Sequence, residues 1–271
     1  MAEAKYINPY TDFGFKHLFG QNMNKDLLMS FLNALLHEEQ HIVDLKYLNG
    51  EHLGANAGER RAIFDVYCEN DKGEKFIVEM QNVYQQFFKD RSIYYSTFPI
   101  REQAKRGDWD YSLQNVYTIG ILNFVFDEDR SNPDCFHHEV KLMDVDRKTV
   151  FYDKLTFIYL EMPKFNKAES ELVTMFDKWM FVLKNLSRLL ERPAALQEKV
   201  FTKLFETAEI ARFSKQDLEK YEDSVKAYRD ITNAINTAKR DEAKEIASRL
   251  RAAGIDADII AQATGLKGSE I

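Results

Sequence analysis

Two acidic residues, Asp65 and Glu79, flank a short turn and carry the clearest chemical signal in the chain. The turn lies midway between them at 71–73, with the sequence DKG, and a loop of this kind commonly closes a β-hairpin through a glycine at positive φ. Pairing centred on the middle of this turn places Asp65 directly opposite Glu79. Gln81 shares their face because side chains on a strand alternate with a period of two.

Two carboxylates held opposite each other favour a divalent metal ion. Directly opposed residues have Cβ atoms about 4.5–5.5 Å apart, so Asp65 and Glu79 repel each other, and burial makes their ionisation costlier. Mg²⁺, or Mn²⁺ in its place, is typically held by one or two protein carboxylates and completes its shell with water and substrate phosphate. Because such an ion polarises a phosphoryl oxygen and acidifies bound water, the pattern indicates phosphodiester hydrolysis.

The alternative interpretation places both carboxylates on a solvated face of the sheet. Alternation alone predicts polar residues at the outward positions of a half-exposed strand. Against this, Asp is depleted in strand interiors, and Asp65 lies between Phe64 and Val66 in a predicted strand. A shift of one residue in register would send Asp65 and Glu79 to opposite faces, so the metal site depends on the turn assignment.

The segments at 24–126 follow the order of an αβββαβ unit, and two further strands extend the sheet. Apolar periodicity and turn residues predict a helical stretch broken near Gly20, three strands, a helix that Pro99 should kink, and three more strands. These elements lie at 11–37, 42–52, 60–68, 75–82, 86–106, 116–126, 137–145 and 154–161. The fold class is therefore mixed α/β with a helical C-terminal extension.

The chain beyond Pro163 is predicted to be helical to its end. The expected helices lie at 170–191, 195–213, 215–240 and 242–252. We expect a core at 1–165, a helical extension at 166–240 and a helical tail at 241–271. The segment GIDADIIAQATGLKGSEI in this tail is similar to a partial helix-turn-helix. A plain helical hairpin used for dimer packing is an equal alternative. A homodimer is therefore one possible state of the protein.

The overall charge limits how the protein could contact nucleic acid. The chain of 271 residues has a formal net charge of −7, which argues against binding by bulk electrostatics, so any contact must be local. Its apolar share of 45% and charged share of 30% are those of ordinary globular proteins. Without a long apolar run or a signal-peptide pattern, we expect a cytoplasmic protein that does not contact a membrane.

The run His137-His138-Glu139 suggests a second metal site. Adjacent histidines on a strand point to opposite faces, so both cannot readily bind one ion. The sequence therefore gives little support for a metal ion at this place.

Three segments resemble the PD-(D/E)XK nuclease family transposases, the Rpn recombination-promoting nucleases. They are NPYTDFGFKHLFG (8–20), IFDVYCENDKGEKFIVEMQ (63–81) and KDRSIYYSTFPIREQAKRGDWDY (89–111), and the resemblance covers most of residues 6–240. It implies a restriction-endonuclease-like core with a mixed sheet. It also implies a Mg²⁺-dependent DNA endonuclease linked to recombination or transposition.

The family pattern assigns roles to four residues of this chain. Asp65 corresponds to the first acidic ligand and Glu79 to the second, while Asp12 borders the site. Gln81 stands where the wider superfamily usually has lysine, and a neutral amide can only orient water or donate to phosphate. This departure leaves open a catalytically inactive DNA-binding or regulatory module. A separate alternative is a defence or toxin nuclease that uses the same chemistry on other nucleic acid.

The predicted helix at 86–106 would flank the site in this fold and is rich in basic residues. Its basic side chains could contact phosphate locally, although a solvated helix face explains them equally well. The candidate DNA-binding residues on this helix are Arg91, Arg101 and Lys105.

Overall fold

The computed structural model describes residues 4–36, 41–52, 62–104 and 110–270. Contacts divide the chain into two compact units, Met1–Tyr221 and Glu222–Ile271. The division into a core at 1–165, an extension at 166–240 and a tail at 241–271 stays a prediction. No helix in the described ranges is long and apolar enough to cross a membrane.

The first unit is built on a mixed β-sheet. The described strands are β1 (Leu45–Tyr47), β2 (Glu51–His52), β3 (Ala62–Ile63), β4 (Val66–Asn70), β5 (Lys75–Gln81), β6 (Val116–Leu122), β7 (His137–Asp144) and β8 (Thr149–Glu161). Among these, six form one sheet in the order β1-β4-β5-β6-β8-β7, and β2 pairs with β3 separately. The central strands β5, β6 and β8 are parallel, and their neighbours are antiparallel. A parallel centre covered on both faces explains why every residue of β6 is buried.

The helices cover this sheet and continue into the C-terminal part. The described α-helices are α1 (Asp12–Phe19), α2 (Lys25–Leu35), α3 (Phe88–Glu102), α4 (Met175–Asn185), α5 (Lys199–Ala208), α6 (Lys215–Ala252) and α7 (Ala257–Thr264). Thr11 caps the N-terminus of α1, and its hydroxyl accepts a hydrogen bond from the backbone N–H of Gly14. The fully buried Trp179 of α4 contacts the rings of Phe19 and Phe201. Helices from both ends of the unit therefore share one core.

The mixed α/β class and the αβββαβ order are confirmed, and several predicted boundaries are wrong. The predicted strand at 42–52 is two strands that belong to different sheets, and the one at 60–68 is broken by a bend at Asp65. The helices predicted at 215–240 and 242–252 are one helix, α6, because no glycine or proline interrupts the segment.

The second unit has a small core of its own. Ala247, Ile260 and Leu266 are buried together where the end of α6 packs on α7. Helix α7 ends at Gly265, which adopts φ +69°, and a 3₁₀ turn at Gly268–Glu270 follows. Within the described part of the tail, this turn stands where the partial helix-turn-helix would begin its second helix.

Candidate functional site

The hairpin of β4 and β5 has the predicted register. Tyr67 pairs with Ile77 and Val66 with Val78. The loop at 71–73 closes as expected: the backbone N–H of Gly73 donates to the carbonyl of Asn70 at 3.0 Å, and Gly73 adopts φ +79°. This register directs Asp65 towards Glu79 on the neighbouring strand.

Asp65 lies at a bend just before β4, not in a strand interior as predicted. Its carboxylate Oδ2 accepts a hydrogen bond of 2.9 Å from the backbone N–H of Met80. The side chain thus bonds to the backbone of β5, next to Glu79. A bend suits aspartate, whose side chain readily hydrogen bonds to nearby backbone, and this removes the conflict with its low strand propensity.

Glu79 is nearly buried, with 5% of its surface exposed. Its Oε2 accepts a hydrogen bond of 3.0 Å from Nε2 of Gln81 and lies 3.7 Å from Nη2 of Arg91. Its Oε1 is buried and has no hydrogen-bond partner among the described residues. A buried acceptor without a partner is costly, so this oxygen is available to a metal ion.

The two carboxylates oppose each other's ionisation. Burial raises the pKa of Glu79 to about 8, and the negative charge of Asp65 adds to the shift. Burial also raises the pKa of Asp65, although the Met80 N–H and the charge of Lys16 oppose the change. A divalent cation would stabilise both anionic forms together, so the donor set fits a hard ion such as Mg²⁺.

Helix α1 brings one more charged pair close to the hairpin. Nζ of Lys16 lies 2.6 Å from Oδ1 of Asp12, one helical turn away. Partial burial lowers the pKa of Lys16, but the hydrogen bond to Asp12 and the charges of Asp12, Asp65 and Glu79 raise it overall. The charges of Lys16 and Asp12 both act on Asp65, and the position of Asp12 at the border of the site stays a prediction. Lys16 was not predicted as a site residue, although its four-residue spacing from Asp12 on a helix was a usable signal.

The basic residues predicted to contact DNA are placed differently from one another. The guanidinium of Arg91 lies beside Glu79 and over the rings of Phe88 and Tyr95, at 5.2 and 5.5 Å from their centroids. Arg101 is exposed near the end of α3, about 15 Å further along the helix axis at 1.5 Å per residue. Lys105 lies outside the described residues.

A second group of potential ligands lies at the same end of the sheet. One donor atom each from Asp129, His138 and Glu161 lies within 4.8 Å of the others. His137 contacts the ring of Phe176 instead, so the two adjacent histidines do not share a site. This cluster was not predicted, because Asp129, His138 and Glu161 are distant from one another in sequence.

Comparison with known proteins finds a match to one family model. A family model described as PD-(D/E)XK nuclease family transposase matches residues 9–238 of the chain. The matched span includes Asp12, Asp65, Glu79 and Gln81. PD-(D/E)XK nucleases generally use a divalent metal ion. No curated protein and no solved structure gives a significant match.

Proposed function

The chain belongs to the PD-(D/E)XK nuclease family transposases, and from this premise we propose that it is a Mg²⁺-dependent endonuclease that hydrolyses phosphodiester bonds of DNA. The supporting observation is the pair formed by Asp65 and Glu79, in which Oε1 of Glu79 is buried and lacks a hydrogen bond within the described structure. The link to transposition comes from the family, and the DNA substrate is part of the proposal.

Asp65 and Glu79 would hold the metal ion, Mg²⁺ or in its place Mn²⁺. When bound, such an ion polarises the phosphate and makes a bound water more acidic. Gln81 holds Oε2 of Glu79 by its 3.0 Å hydrogen bond, which leaves Oε1 as the free ligand atom. The Met80 N–H holds Asp65 in the same way. The neutral amide of Gln81 therefore serves to orient a carboxylate.

Lys16 supplies the positive charge that Gln81 lacks. An ammonium group offers three donors and a full charge, which are the properties that lysine provides at the motif position in the wider superfamily. The surrounding carboxylates raise the pKa of Lys16, so its side chain stays protonated at neutral pH. We therefore assign Lys16 to stabilising charge on the scissile phosphate, rather than to removing a proton from water.

Contacts to the DNA backbone must be local because the chain carries a net charge of −7. Arg91 sits beside Glu79 and would meet a phosphate that approaches the metal ion. Arg101, exposed on the same helix, and Lys105 are proposed to contact phosphates further along the strand. These contacts position the DNA and do not read its sequence.

Cleavage of supercoiled plasmid in the presence of Mg²⁺ tests the proposal. Asp65→Asn and Glu79→Gln should each reduce nicking by more than about 100-fold, since losing a ligand exceeds the loss of an outer-shell partner. Glu69→Gln is the matched control, because Glu69 lies on the same hairpin and pairs with Lys75 instead. Nicking that survives both site substitutions would place the activity elsewhere.

The same assay separates the alternative functions. An inactive DNA-binding module predicts DNA binding without cleavage at any metal concentration. A defence or toxin nuclease predicts faster cleavage of RNA, or of another nucleic acid, than of plasmid DNA.

A further inference from the structure

We infer that Asp129, His138 and Glu161 form a second metal site, separate from the hairpin, that binds a transition-metal ion such as Zn²⁺. The three residues come from a 3₁₀ turn (Asp127–Asp129), the start of β7 and the end of β8. All of them belong to the first unit.

The spacing of the donor atoms fits a first coordination shell. Nε2 of His138 lies 3.3 Å from Oε2 of Glu161 and 3.8 Å from Oδ2 of Asp129. Zn²⁺ binds nitrogen and oxygen ligands at about 2.0–2.1 Å, which puts two ligands of a tetrahedral ion about 3.3 Å apart. Small movements of Asp129, which is on a surface turn, would complete the arrangement.

The donor atoms of His138 and Glu161 are buried side by side. Nε2 of His138 is buried and forms no hydrogen bond. It lies 3.3 Å from Oε2 of Glu161, which is ion-paired with Lys164 at 2.6 Å. Glu161 has no exposed surface. Its other oxygen, Oε1, accepts a 2.6 Å hydrogen bond from the backbone N–H of Phe126. The carboxylate is therefore fixed, with one oxygen directed into the cluster.

The charges around the cluster leave room for a cation. Nζ of Lys164 lies 2.6 Å from Oε2 of Glu161 and donates to the carbonyl of Cys135 at 3.0 Å. One ammonium against the carboxylates of Glu161 and Asp129 leaves a net negative charge when His138 is neutral, because Lys89 and Lys141 of the same cavity pair with Glu128 and Glu139. An imidazole ligand favours Zn²⁺ over Mg²⁺, which prefers oxygen ligands alone.

Cys135 sets the tautomer that metal binding needs. Its Sγ donates to the carbonyl of His137 at 3.8 Å and lies 4.0 Å from Nδ1 of His138. With its proton directed to the carbonyl, the sulfur can accept a hydrogen bond from Nδ1–H. Nε2 of His138 then presents its lone pair to the cluster, as in metal sites where the second ring nitrogen is held by an outer partner.

An ion can reach the cluster without passing the hairpin. Asp129 and His138 line a cavity of about 330 Å³ whose other walls are mainly apolar. Glu161 is in register with Leu122, which is in register with Gln81, so the clusters are two strands, or about 10 Å, apart. Leu122 packs with Phe88 and Phe126 in the space between them.

Binding of Co²⁺, a spectroscopic substitute for Zn²⁺, tests this site. The full chain carrying Asp65→Asn and Glu79→Gln is used, so that the hairpin pair does not contribute. We expect one equivalent of Co²⁺ to give the visible absorption of a four- or five-coordinate ion, and Zn²⁺ to displace it. This result depends on the second site alone and is independent of nuclease activity.

Substitutions assign the ligands within the same background. His138→Ala should weaken Co²⁺ binding by more than about 100-fold, beyond the effect of losing an outer-shell partner. His137→Ala is the matched control and should leave binding unchanged, because His137 lies on the opposite face of β7. Asp129→Asn, at a half-buried surface position, should also weaken binding without disturbing the core. Absence of the Co²⁺ absorption, or equal losses in His137→Ala and His138→Ala, would overturn the inference.

Discussion

The two clusters of potential ligands in the first unit differ in how the chain assembles them. Asp65 and Glu79 are brought together by one hairpin, whose register follows from the turn at 71–73. Asp129, His138 and Glu161 meet only after a turn and two strands have taken their places in the sheet. A site built by local pairing can be derived from residue spacing, whereas a site built across elements requires the tertiary structure.

The clusters also differ in how their negative charge is compensated. In the second cluster, Lys164 lies 2.6 Å from the buried carboxylate of Glu161. At the hairpin, the nearest guanidinium atom is 3.7 Å from Glu79, and the neighbouring Asp65 adds a like charge. The stability contributed by the hairpin pair should therefore depend more strongly on pH and on bound metal than that of the second cluster.

The largest expected effect is a loss of stability of the metal-free protein as the pH rises. The pKa of Glu79 is about 8 when folded, against an ordinary value of 4.5, so the folded state keeps a proton that the unfolded state releases. The contribution of protonated Glu79 to the free energy of unfolding is complete below pH 4.5. It is lost as the pH rises to about 8. Each pKa unit corresponds to about 1.4 kcal/mol, which makes the total several kcal/mol.

Urea denaturation in the presence of a chelator, from acidic to mildly alkaline pH, measures this effect. Glu79→Gln should make the free energy of unfolding less dependent on pH, because it removes the titrating group and keeps the shape of the side chain. Glu69→Gln should keep the profile of the original protein. If the profile of Glu79→Gln is as steep as that of the original protein, Glu79 is not the source of the pH dependence.

A smaller effect is expected from removing the ammonium group on α1. Lys16→Met should slow DNA cleavage by about 100-fold, the usual effect of losing one group that stabilises developing charge. Lys16→Arg should lose less cleavage activity because it keeps the positive charge. The Mg²⁺ concentration for half-maximal cleavage should fall slightly, since a positive charge beside the two carboxylates is removed.

Lys25→Met is the control for this substitution. Lys25 is a lysine of α2 that pairs with Asp44, a carboxylate outside the hairpin site. Full activity in both Lys16→Met and Lys25→Met would contradict the role assigned to Lys16.

The smallest expected effect is a loss of stability from disturbed packing between the hairpin pair and the second cluster of ligands. Gly120 of β6 is in register with Glu79 on one side and Tyr159 on the other. A Cβ atom there would lie 3.2 Å from side-chain atoms of Phe88, Leu122 and Tyr159. Gly120→Ala should therefore lower the free energy of unfolding by about 1–3 kcal/mol through overpacking.

Thermal or urea unfolding measures the loss in the free energy of unfolding caused by Gly120→Ala. Gly268→Ala provides the comparison, because a Cβ atom at that position meets nothing within 4 Å. Equal stability of the Gly120→Ala protein and the original would show that the packing between the clusters is loose.

Much of the fold could be predicted because the signals are local. The alternation and the DKG turn define β4, β5 and their register, and Gly73 adopts the positive φ that the loop requires. The bend at Asp65 could not be predicted, since it depends on a hydrogen bond to Met80 on the partner strand. The position of Lys16 depends on how α1 packs, and the second cluster depends on the order of β6, β8 and β7. These features are set by contacts between residues that are distant in sequence.

The short loop of the hairpin also bears on the order in which the protein folds. A β-hairpin forms in about 1–10 μs, whereas the parallel pairing of β5 with β6 must wait for the crossover that contains α3. We expect Asp65 and Glu79 to meet while both are still hydrated, and to lose that water only when α3 brings Arg91 over them. The two carboxyl groups are then dehydrated late in folding, and Glu79 takes up a proton as it loses water, because burial raises its pKa to about 8.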